Sequence, residues 1–336
     1  MIIEALKELS QNKDLAAELM TQVMEEIMTG KVDTPHIASF LTALKKKGET
    51  PEELTAAASV MRRYVTKIHT RHKVILDTCG TGGDLKGTFN ISTVAAFVVS
   101  GCGITVAKHG NRSVSSRSGS ADILEALGVN IHLPPEKLEK CLDEAGIAFL
   151  FAPDLHPAMK YAAPARKQIL TRTMFNLLGP LTNPAQATHQ LVGVYDRNWT
   201  EPLARVLANL GTAHALVVFG KDGLDEISTA AETIVSEARH KEVRTYEISP
   251  EDFGFKRANL IDLLGSGASD NAQILLDILN GEDGPRKDIV LLNAGAAVFA
   301  ADKAGSIKEG IELAQISIDS KKALEKFELL KEYSHK

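Results

Sequence analysis

The sequence changes character once, near residue 74, and this change most limits the folds open to it. No segment before that point has the pattern of a strand, whereas Leu15, Leu19, Val23 and Ile27 recur at every fourth position, the spacing of one helical face. Beyond it, short apolar runs alternate with helical segments, which predicts a mainly parallel sheet covered by helices. At 336 residues the chain also exceeds the ~250–300 residues that one hydrophobic core usually serves. We therefore predict an α/β protein with a small all-helical lobe and a larger α/β lobe.

The predicted elements divide the chain between these lobes. Within the first lobe, Thr34 before Pro35 marks one helix start, with Thr34 as the expected N-cap, and the acidic run at 49–53 marks another. Strands are predicted at 74–76, 104–107, 129–133, 147–151, 191–195 and 215–219, with helices between them and a long helical tail at the end. Residues 154–180 interrupt the alternation and look helical. The helical lobe is therefore predicted to be residues 1–72, completed by helices at about 156–188, and the α/β lobe residues 73–155 and 189–336.

Charge and composition exclude some classes of partner. Apolar residues make up 44% of the chain and charged residues 24%, as in ordinary globular proteins. The chain has 38 basic and 43 acidic residues, and no basic stripe is visible, so a nucleic-acid partner is not expected. A phosphate site in this chain has to be small and local.

Cysteine usage and the N-terminus predict a cytoplasmic protein. Cys79, Cys102 and Cys141 form neither a CxxC pattern nor an even disulfide framework. No signal peptide is expected at the N-terminus, which lacks a basic segment followed by an apolar one. The longest apolar run, at 94–99, is far shorter than the ~20 residues of a membrane span, so no membrane association is expected.

Two neighbouring segments have the composition of an anion site. Three glycines lie within residues 80–83, between a predicted strand and helix, where backbone amides and the helix dipole favour an anion. The segment is neither a dinucleotide fingerprint nor a Walker A loop, and a purely structural turn remains the alternative. Asn90, Ser92 and Thr93 then open the next helix, either as simple caps or as ligands of a diphosphate.

A basic loop and an acidic pair follow later strands. Residues 108–113 contain Lys, His and Arg directly after a strand, and the serine-rich run 115–120 makes an anion-binding loop the better interpretation than a solvated one. Asp225 and Glu226 follow the last predicted strand, where two carboxylates suit Mg²⁺ held together with substrate phosphates. Neighbouring side chains in extended backbone point apart, so two ions per site are expected rather than one shared ion.

The motifs together resemble the anthranilate phosphoribosyltransferase family over nearly the whole chain. GTGGD at 80–84, NIST at 90–93, KHGNR at 108–112 and SGSAD at 118–122 occur in the order and spacing of that family. The likeness extends to His156-Pro157, Arg166 and the runs 175–184 and 222–226. It implies a fold shared with pyrimidine nucleoside phosphorylases, in which a helical lobe is hinged to the α/β lobe, and a homodimer joined through the helical lobe. It also implies transfer of a phosphoribosyl group to anthranilate in tryptophan biosynthesis.

The resemblance assigns roles to individual residues. Binding of 5-phosphoribosyl 1-diphosphate falls to Gly80, Gly83, Asp84, Thr88, Asn90, Ile91, Ser92, Thr93, Lys108, Asn111, Arg112, Ser113, Val114, Ser115, Ser116 and Ser120. Anthranilate is expected to contact Gly80, His109, Asn111, Arg166 and Gly179, and Arg166 to pair with its carboxylate. Mg²⁺ is expected on Ser92, Asp225 and Glu226. Catalysis is expected from Lys108, which stabilises the departing diphosphate, while His109 orients the amine or accepts its proton late.

Two other functions compete with this interpretation. A pyrimidine nucleoside phosphorylase has a similar fold, but its lysine- and serine-bearing pyrimidine motif is not visible here. A non-catalytic relative that binds nucleic acid would show a basic groove and degraded metal motifs, whereas this chain is acidic overall and keeps Asp225 and Glu226. The sequence leaves open an association with anthranilate synthase as a separate chain.

Overall fold

The computed structural model describes residues 1–112, 118–169 and 171–336. Its strands are β1 (Ile75–Gly80), β2 (Thr105–Gly110), β3 (Ile147–Phe151), β4 (His189–Gly193), β5 (His214–Gly220), β6 (Thr233–Arg239) and β7 (Glu242–Ile248). Its helices are α1 (Ile2–Ser10), α2 (Ala17–Met28), α3 (Thr34–Lys47), α4 (Pro51–Tyr64), α5 (Ile91–Gly101), α6 (Ser120–Ala126), α7 (Pro135–Lys140), α8 (Ala152–Leu155), α9 (Met159–Ile169), α10 (Met174–Leu178), α11 (Thr200–Asn209), α12 (Ala268–Leu279), α13 (Pro285–Ala300), α14 (Ile307–Asp319) and α15 (Lys322–His335).

The sheet has seven strands in the order β3-β2-β1-β4-β5-β6-β7. The first five are parallel, and β6 and β7 join as an antiparallel hairpin. The mainly parallel sheet is therefore confirmed. β3 and β4 are buried at every position, as expected for strands covered by helices on both faces. Four neighbouring strands, β1, β2, β4 and β5, each end in a glycine, so backbone can approach a ligand closely along this edge.

The helical lobe begins with four helices whose starts are encoded locally. At α4, Thr50 accepts from the backbone amide of Glu53 (3.2 Å) and the Glu53 carboxylate accepts from the amide of Thr50 (2.8 Å), a complete capping box. At α3 the cap is Asp33, which accepts from the amide of His36, and Thr34 is already helical. The prediction of Thr34 as the cap was therefore wrong by one residue.

Helices from the middle of the chain return to this lobe. α9 packs against α2 and α3, and α10 contacts α4. One buried apolar cluster joins these helices and continues onto α11 and one face of β4 and β5. The second buried cluster lies around α5, α13 and the other side of the sheet. The chain therefore comes back to the helical lobe between β3 and β4, and it leaves β3 at the carboxyl edge of the sheet.

The strand predicted at 129–133 is wrong. Val129, Ile131 and Leu133 are all buried, so the alternating apolar pattern does reflect burial of one side. The backbone amides nevertheless find side chains rather than a neighbouring strand. The Asn130 amide donates to the Ser334 hydroxyl (3.0 Å), and the His132 amide donates to the Asn130 side-chain oxygen (3.0 Å). An extended segment with these partners packs beside the sheet without joining it.

No strand was predicted after 215–219, and this was incomplete, because β6 and β7 precede the helical tail. Their two-residue turn is His240-Lys241, and both residues have positive φ, 53° and 67°. Such turns usually carry glycine or asparagine, and neither is present to mark the hairpin. The helical tail begins at α12.

The three cysteines are all free thiols, as their spacing predicted. Cys141 is buried, and Cys79 and Cys102 are partly buried. Within residues 1–112, 118–169 and 171–336, no helix combines the length and the apolar character that crossing a membrane requires.

Candidate active site

The glycine loop after β1 is built around the carboxylate of Asp225. Gly82 and Gly83 have φ of 66° and 80°, a conformation that favours glycine. The Gly82 amide donates to Asp225 Oδ2 at 3.1 Å, and a Cβ on Gly80 would lie 2.8 Å from the same oxygen. The loop therefore needs glycines both for its backbone angles and for the close approach of this acid.

Glu226 faces a different element, the N-terminus of α5. Its Oε1 accepts from the backbone amide of Ser92 at 3.2 Å. An anion at this end of a helix is stabilised by the free amides and the dipole. The adjacent hydroxyl of Thr93 is buried and has no hydrogen-bond partner among the described residues. The two neighbouring acids therefore reach two separate anion-binding elements.

Lys108 lies beneath both elements. Its ammonium donates to the Thr78 carbonyl at 2.6 Å and to the Ser92 hydroxyl at 3.3 Å. The side chain is 4% exposed. Burial lowers its pKa, while the negative charges of Asp77 and Glu226 oppose this. β2 thus delivers one buried amine to the floor of the site.

The two acids of the site, Asp225 and Glu226, both have raised pKa values. Burial, followed by the nearby Asp84 carboxyl, raises the pKa of Asp225 to about 7. Burial and the charge of Asp225 raise the pKa of Glu226 to about 8. Like charges in a poorly hydrated site favour protonation or the binding of a cation. Carboxylate oxygens are the ligands that Mg²⁺ prefers, so the donor set fits that ion.

A pair of neutral histidines lies at the end of β2. The Nε2 atoms of His109 and His156 are 3.1 Å apart, and the ring of His109 also hydrogen-bonds to the backbone carbonyl of Gly179. Burial lowers the pKa of His109 to about 3, with a smaller effect from His156, and lowers that of His156 to about 4. Both rings are therefore uncharged near neutral pH, and His109 is a weak base.

Arg166 lies on α9 with its guanidinium 5.5 Å from the centre of the Phe175 ring. Burial lowers its pKa. Among the described residues no acid forms an ion pair with it within 4.0 Å. A half-buried cation without an acid is ready to accept a carboxylate from a ligand.

Comparison with known proteins decides the family. A model described as "Glycosyl transferase family, a/b domain" matches residues 72–324, and one described as "Glycosyl transferase family, helical bundle domain" matches residues 3–65. The anthranilate phosphoribosyltransferase of Symbiobacterium thermophilum is 53% identical over 331 residues, 98% of this chain and 97% of that protein. The chain belongs to the anthranilate phosphoribosyltransferase family.

Solved structures agree with this membership. Anthranilate phosphoribosyltransferase from Thermus thermophilus matches with a TM-score of 0.93 at 42% identity, over 99% of both chains. The enzyme from Saccharomyces cerevisiae in complex with PRPP and Mg matches with a TM-score of 0.90 at 29% identity, over 99% of this chain and 98% of that one. The predicted fold of the family is therefore confirmed for this chain.

The remaining family residues predicted to bind the phosphoribosyl donor lie around the same edge. Asn90 donates to the Ser118 carbonyl (3.3 Å), and Ser120 donates to the Asn111 carbonyl (3.3 Å), so the strand ends and the start of α6 are tied together. Thr88 bridges to Leu264. Ser113, Val114, Ser115 and Ser116 lie outside the described residues.

Arg112 has a different environment from the other predicted donor ligands. It forms ion pairs with Asp122 and Glu125 on α6 and lies 5.5 Å from the centre of the Phe151 ring. These acids raise its pKa. Its role in binding the donor stays a prediction for this member of the anthranilate phosphoribosyltransferase family.

Three buried polar residues of this family member were missed as site residues. His156 was part of the quoted motifs without an assigned role, and its ring contacts that of His109. Asp77 and Asn183 are buried and hydrogen-bonded to each other beneath the histidines. A charged residue inside a buried strand, as Asp77 is in β1, was the available signal.

Proposed function

We propose that the chain transfers the 5-phosphoribosyl group from 5-phosphoribosyl 1-diphosphate to the amine of anthranilate. The products are N-(5-phosphoribosyl)anthranilate and diphosphate, the second step of tryptophan biosynthesis from chorismate. The observation that carries this proposal is the convergence of the glycine loop, the start of α5 and Lys108 on the acidic pair Asp225-Glu226.

The donor side follows from this convergence. The amides of the glycine loop and of α5, together with the Lys108 ammonium, form a site that favours a diphosphate. We assign Gly80, Gly83, Asp84, Thr88, Asn90, Ile91, Ser92, Thr93, Lys108, Asn111, Arg112 and Ser120 to this substrate. Gly80 and Lys108 lie within β1 and β2, and the others lie in the loops and helix starts that follow these strands.

Magnesium belongs to the same side. The yeast relative is described as a complex with PRPP and Mg, which supports this cofactor. Asp225 and Glu226 contact different elements, Gly82 and Ser92, and we therefore assign two ions with Ser92 as a third protein ligand. When bound, Mg²⁺ neutralises negative charge on the diphosphate.

The acceptor side lies toward the helical lobe. The ring of His109 is neutral, and the space beside the Gly179 backbone is open. The Arg166 guanidinium has no acid partner among the described residues. We assign these three residues to anthranilate together with Gly80 and Asn111, and the Arg166 guanidinium to the carboxylate of the substrate. An aromatic ring with one carboxylate and one amine fits this combination.

The chemistry needs charge stabilisation more than base catalysis. The arylamine of anthranilate is neutral at pH 7 and attacks without prior deprotonation. Positive charge develops on the sugar as its bond to diphosphate breaks, and Lys108 with the loop amides stabilises the departing group. His109 is too weak a base to activate the nucleophile in advance, because its pKa is lowered to about 3. Its role is to orient the amine or to accept the proton late.

The direct test is the loss of anthranilate fluorescence in the presence of 5-phosphoribosyl 1-diphosphate and Mg²⁺. The proposal expects a decay that requires protein, donor and metal together. Each omission provides a control. A flat trace with folded protein contradicts the proposal, and phosphorolysis of thymidine or uridine then tests the nucleoside phosphorylase alternative.

Assembly and location are part of the proposal. We assign the protein a homodimer joined through the helical lobe and a cytoplasmic location. The charge balance of the chain supports small-molecule substrates over nucleic acid. Sedimentation of the purified protein tests the dimer, which predicts twice the 36.2 kDa mass of the chain.

A further inference from the structure

A buried pair of side chains joins the strand floor of the site to the turn at 179–181. We propose that Asp77 and Asn183 form a positioning pair that fixes the acceptor side, so that its loss weakens the use of anthranilate far more than the use of 5-phosphoribosyl 1-diphosphate. The inference rests on the proposed function. It concerns two residues that touch neither substrate and act through His109 and Gly179.

Asp77 uses both carboxylate oxygens on this side of the site. It is fully buried in β1. Oδ1 accepts from the backbone amide of His109 at 3.0 Å, and Oδ2 accepts from the Asn183 side-chain amide at 2.8 Å. A buried carboxylate carries a large desolvation cost, which a hydrophobic residue in the same strand would avoid. The position therefore calls for an explanation beyond packing.

Asn183 completes the connection from the other side. It is 2% exposed. Its amide nitrogen donates a second bond to the Ala107 carbonyl at 2.8 Å, and its oxygen accepts from the Ala185 amide at 2.8 Å. The residue immediately after Ala107 is Lys108, and the next is His109. The Asn183 side chain on the returning loop thus hydrogen-bonds to both β1 and β2.

The turn that Asn183 follows is held by other residues as well. The Gln190 side chain donates to the Pro180 carbonyl (2.7 Å), and Arg62 on α4 donates to the Leu181 carbonyl (2.7 Å). These contacts attach the turn to β4 and to the helical lobe. The Asp77–Asn183 pair adds the attachment to β1 and to β2, the strand that carries Lys108 and His109. The position of the His109 ring against the Gly179 carbonyl therefore depends on this pair, and the acceptor is placed beside these two residues.

Asn293 offers a matched control on the opposite side. It is also fully buried, on α13. Its oxygen accepts from the Ile227 amide at 2.9 Å, and its nitrogen donates to the carbonyls of Ile227 (2.8 Å) and Ile289 (2.9 Å). It thus makes as many hydrogen bonds as Asn183, but it holds the segment that carries Glu226.

The experiment compares isosteric variants of the two asparagines. Asn183→Asp replaces the donor that faces Asp77 and Ala107 with an acceptor, and Asn293→Asp does the same opposite Ile227 and Ile289. Asp77→Asn tests the pair from the strand. An asparagine side chain has one oxygen, which cannot replace both carboxylate oxygens that accept from the His109 amide and the Asn183 side chain. Michaelis constants for both substrates are measured at saturating Mg²⁺, with thermal melts to compare stability. Asn183→Asp and Asp77→Asn are each expected to raise the KM for anthranilate at least about tenfold, and the KM for the donor less than about threefold.

The outcomes separate a positioning role from general loosening. Asn293→Asp is expected to leave the KM for anthranilate within about threefold, while raising the Mg²⁺ concentration needed for half-maximal rate. If it raises the KM for anthranilate as much as Asn183→Asp does, the effect is general and the inference is wrong. Equal changes for both substrates in the pair variants, or no change, also overturn it. If Asn183→Asp does not fold, Asp77→Asn decides. An inactive wild-type protein would instead contradict the proposed function itself.

Discussion

The Asp225 carboxylate accepts a hydrogen bond from the Gly82 amide at 3.1 Å, although the two residues are 143 positions apart. The glycine loop after β1 and the acidic segment after β5 therefore form one structure. Gly193, at the end of β4 between those strands, leaves the space that this contact requires. A Cβ there would overlap the Asp225 carbonyl oxygen. The geometry of the two acids that we propose as Mg²⁺ ligands consequently depends on a glycine in a neighbouring strand.

Gly193→Ala should displace the acidic pair. A shift of about 1 Å at a catalytic group can cost on the order of 100-fold in rate, and we expect a loss of that size in kcat. The melting temperature should also fall, because the methyl group meets backbone rather than a flexible side chain. Gly267→Ala is the control, since a Cβ at that position meets nothing within 4 Å. Normal Mg²⁺-dependent turnover in Gly193→Ala would show that the packing tolerates the change.

Lys108→Ala should damage turnover much more than His109→Ala. The ammonium of Lys108 is buried, and we propose that it stabilises the departing diphosphate, so its removal is expected to lower kcat by about 1,000-fold. His109 is neutral and weakly basic, and its removal should lower kcat by about tenfold through misorientation of the amine. Steady-state kinetics with both substrates saturating measures both effects. The reverse ranking would indicate general-base catalysis.

Mg²⁺ should bind more tightly as the pH rises from about 6 to about 9. The pKa of Asp225 is raised to about 7 and that of Glu226 to about 8, so protons compete with the cation through this range. The Mg²⁺ concentration for half-maximal rate is therefore expected to decrease with pH and then level off above the pKa of Glu226. The activity at saturating Mg²⁺ should depend on pH much less. A pH-independent Mg²⁺ requirement would mean that these carboxyls do not hold the metal.

Arg166→Gln should raise the KM for anthranilate. The guanidinium lies over Phe175 without an acid partner among the described residues, and a carboxylate on the ligand would supply one. Loss of a charge-assisted hydrogen bond costs about 1.5–3 kcal/mol, which is roughly 10- to 100-fold in the KM for anthranilate. Arg205→Gln is the control, because Arg205 pairs with Glu201 on the exposed face of α11. Equal effects of the two substitutions on the KM for anthranilate would contradict the assignment of Arg166 to the acceptor site.

Local sequence was sufficient to predict most of the fold. Capping residues, apolar runs and glycines located α2 to α4 and β1 to β5, because those signals are short-range. The false strand at 129–133 shows the limit, since alternation records burial of one side but not the partner of the backbone. The hairpin of β6 and β7 was missed because His240-Lys241 adopts a glycine-like turn without glycine.

The candidate site divides in the same way. Gly80, Lys108, Asp225 and their neighbours lie in recognisable motifs, so the sequence alone named them. The packing beneath them was not predictable, because Asp77 and Asn183 meet across 106 positions of chain. Long-range pairs of this kind depend on how the returning helices dock, which no local pattern records.

The most direct test of phosphoribosyl transfer measures anthranilate consumption and diphosphate release in the same reaction. One diphosphate should appear for each anthranilate consumed, only with Mg²⁺ present, and the ratio should hold at every time point. Release of diphosphate or phosphate without loss of anthranilate would contradict the transfer reaction, because the assembly around Asp225 and Glu226 would then serve hydrolysis instead.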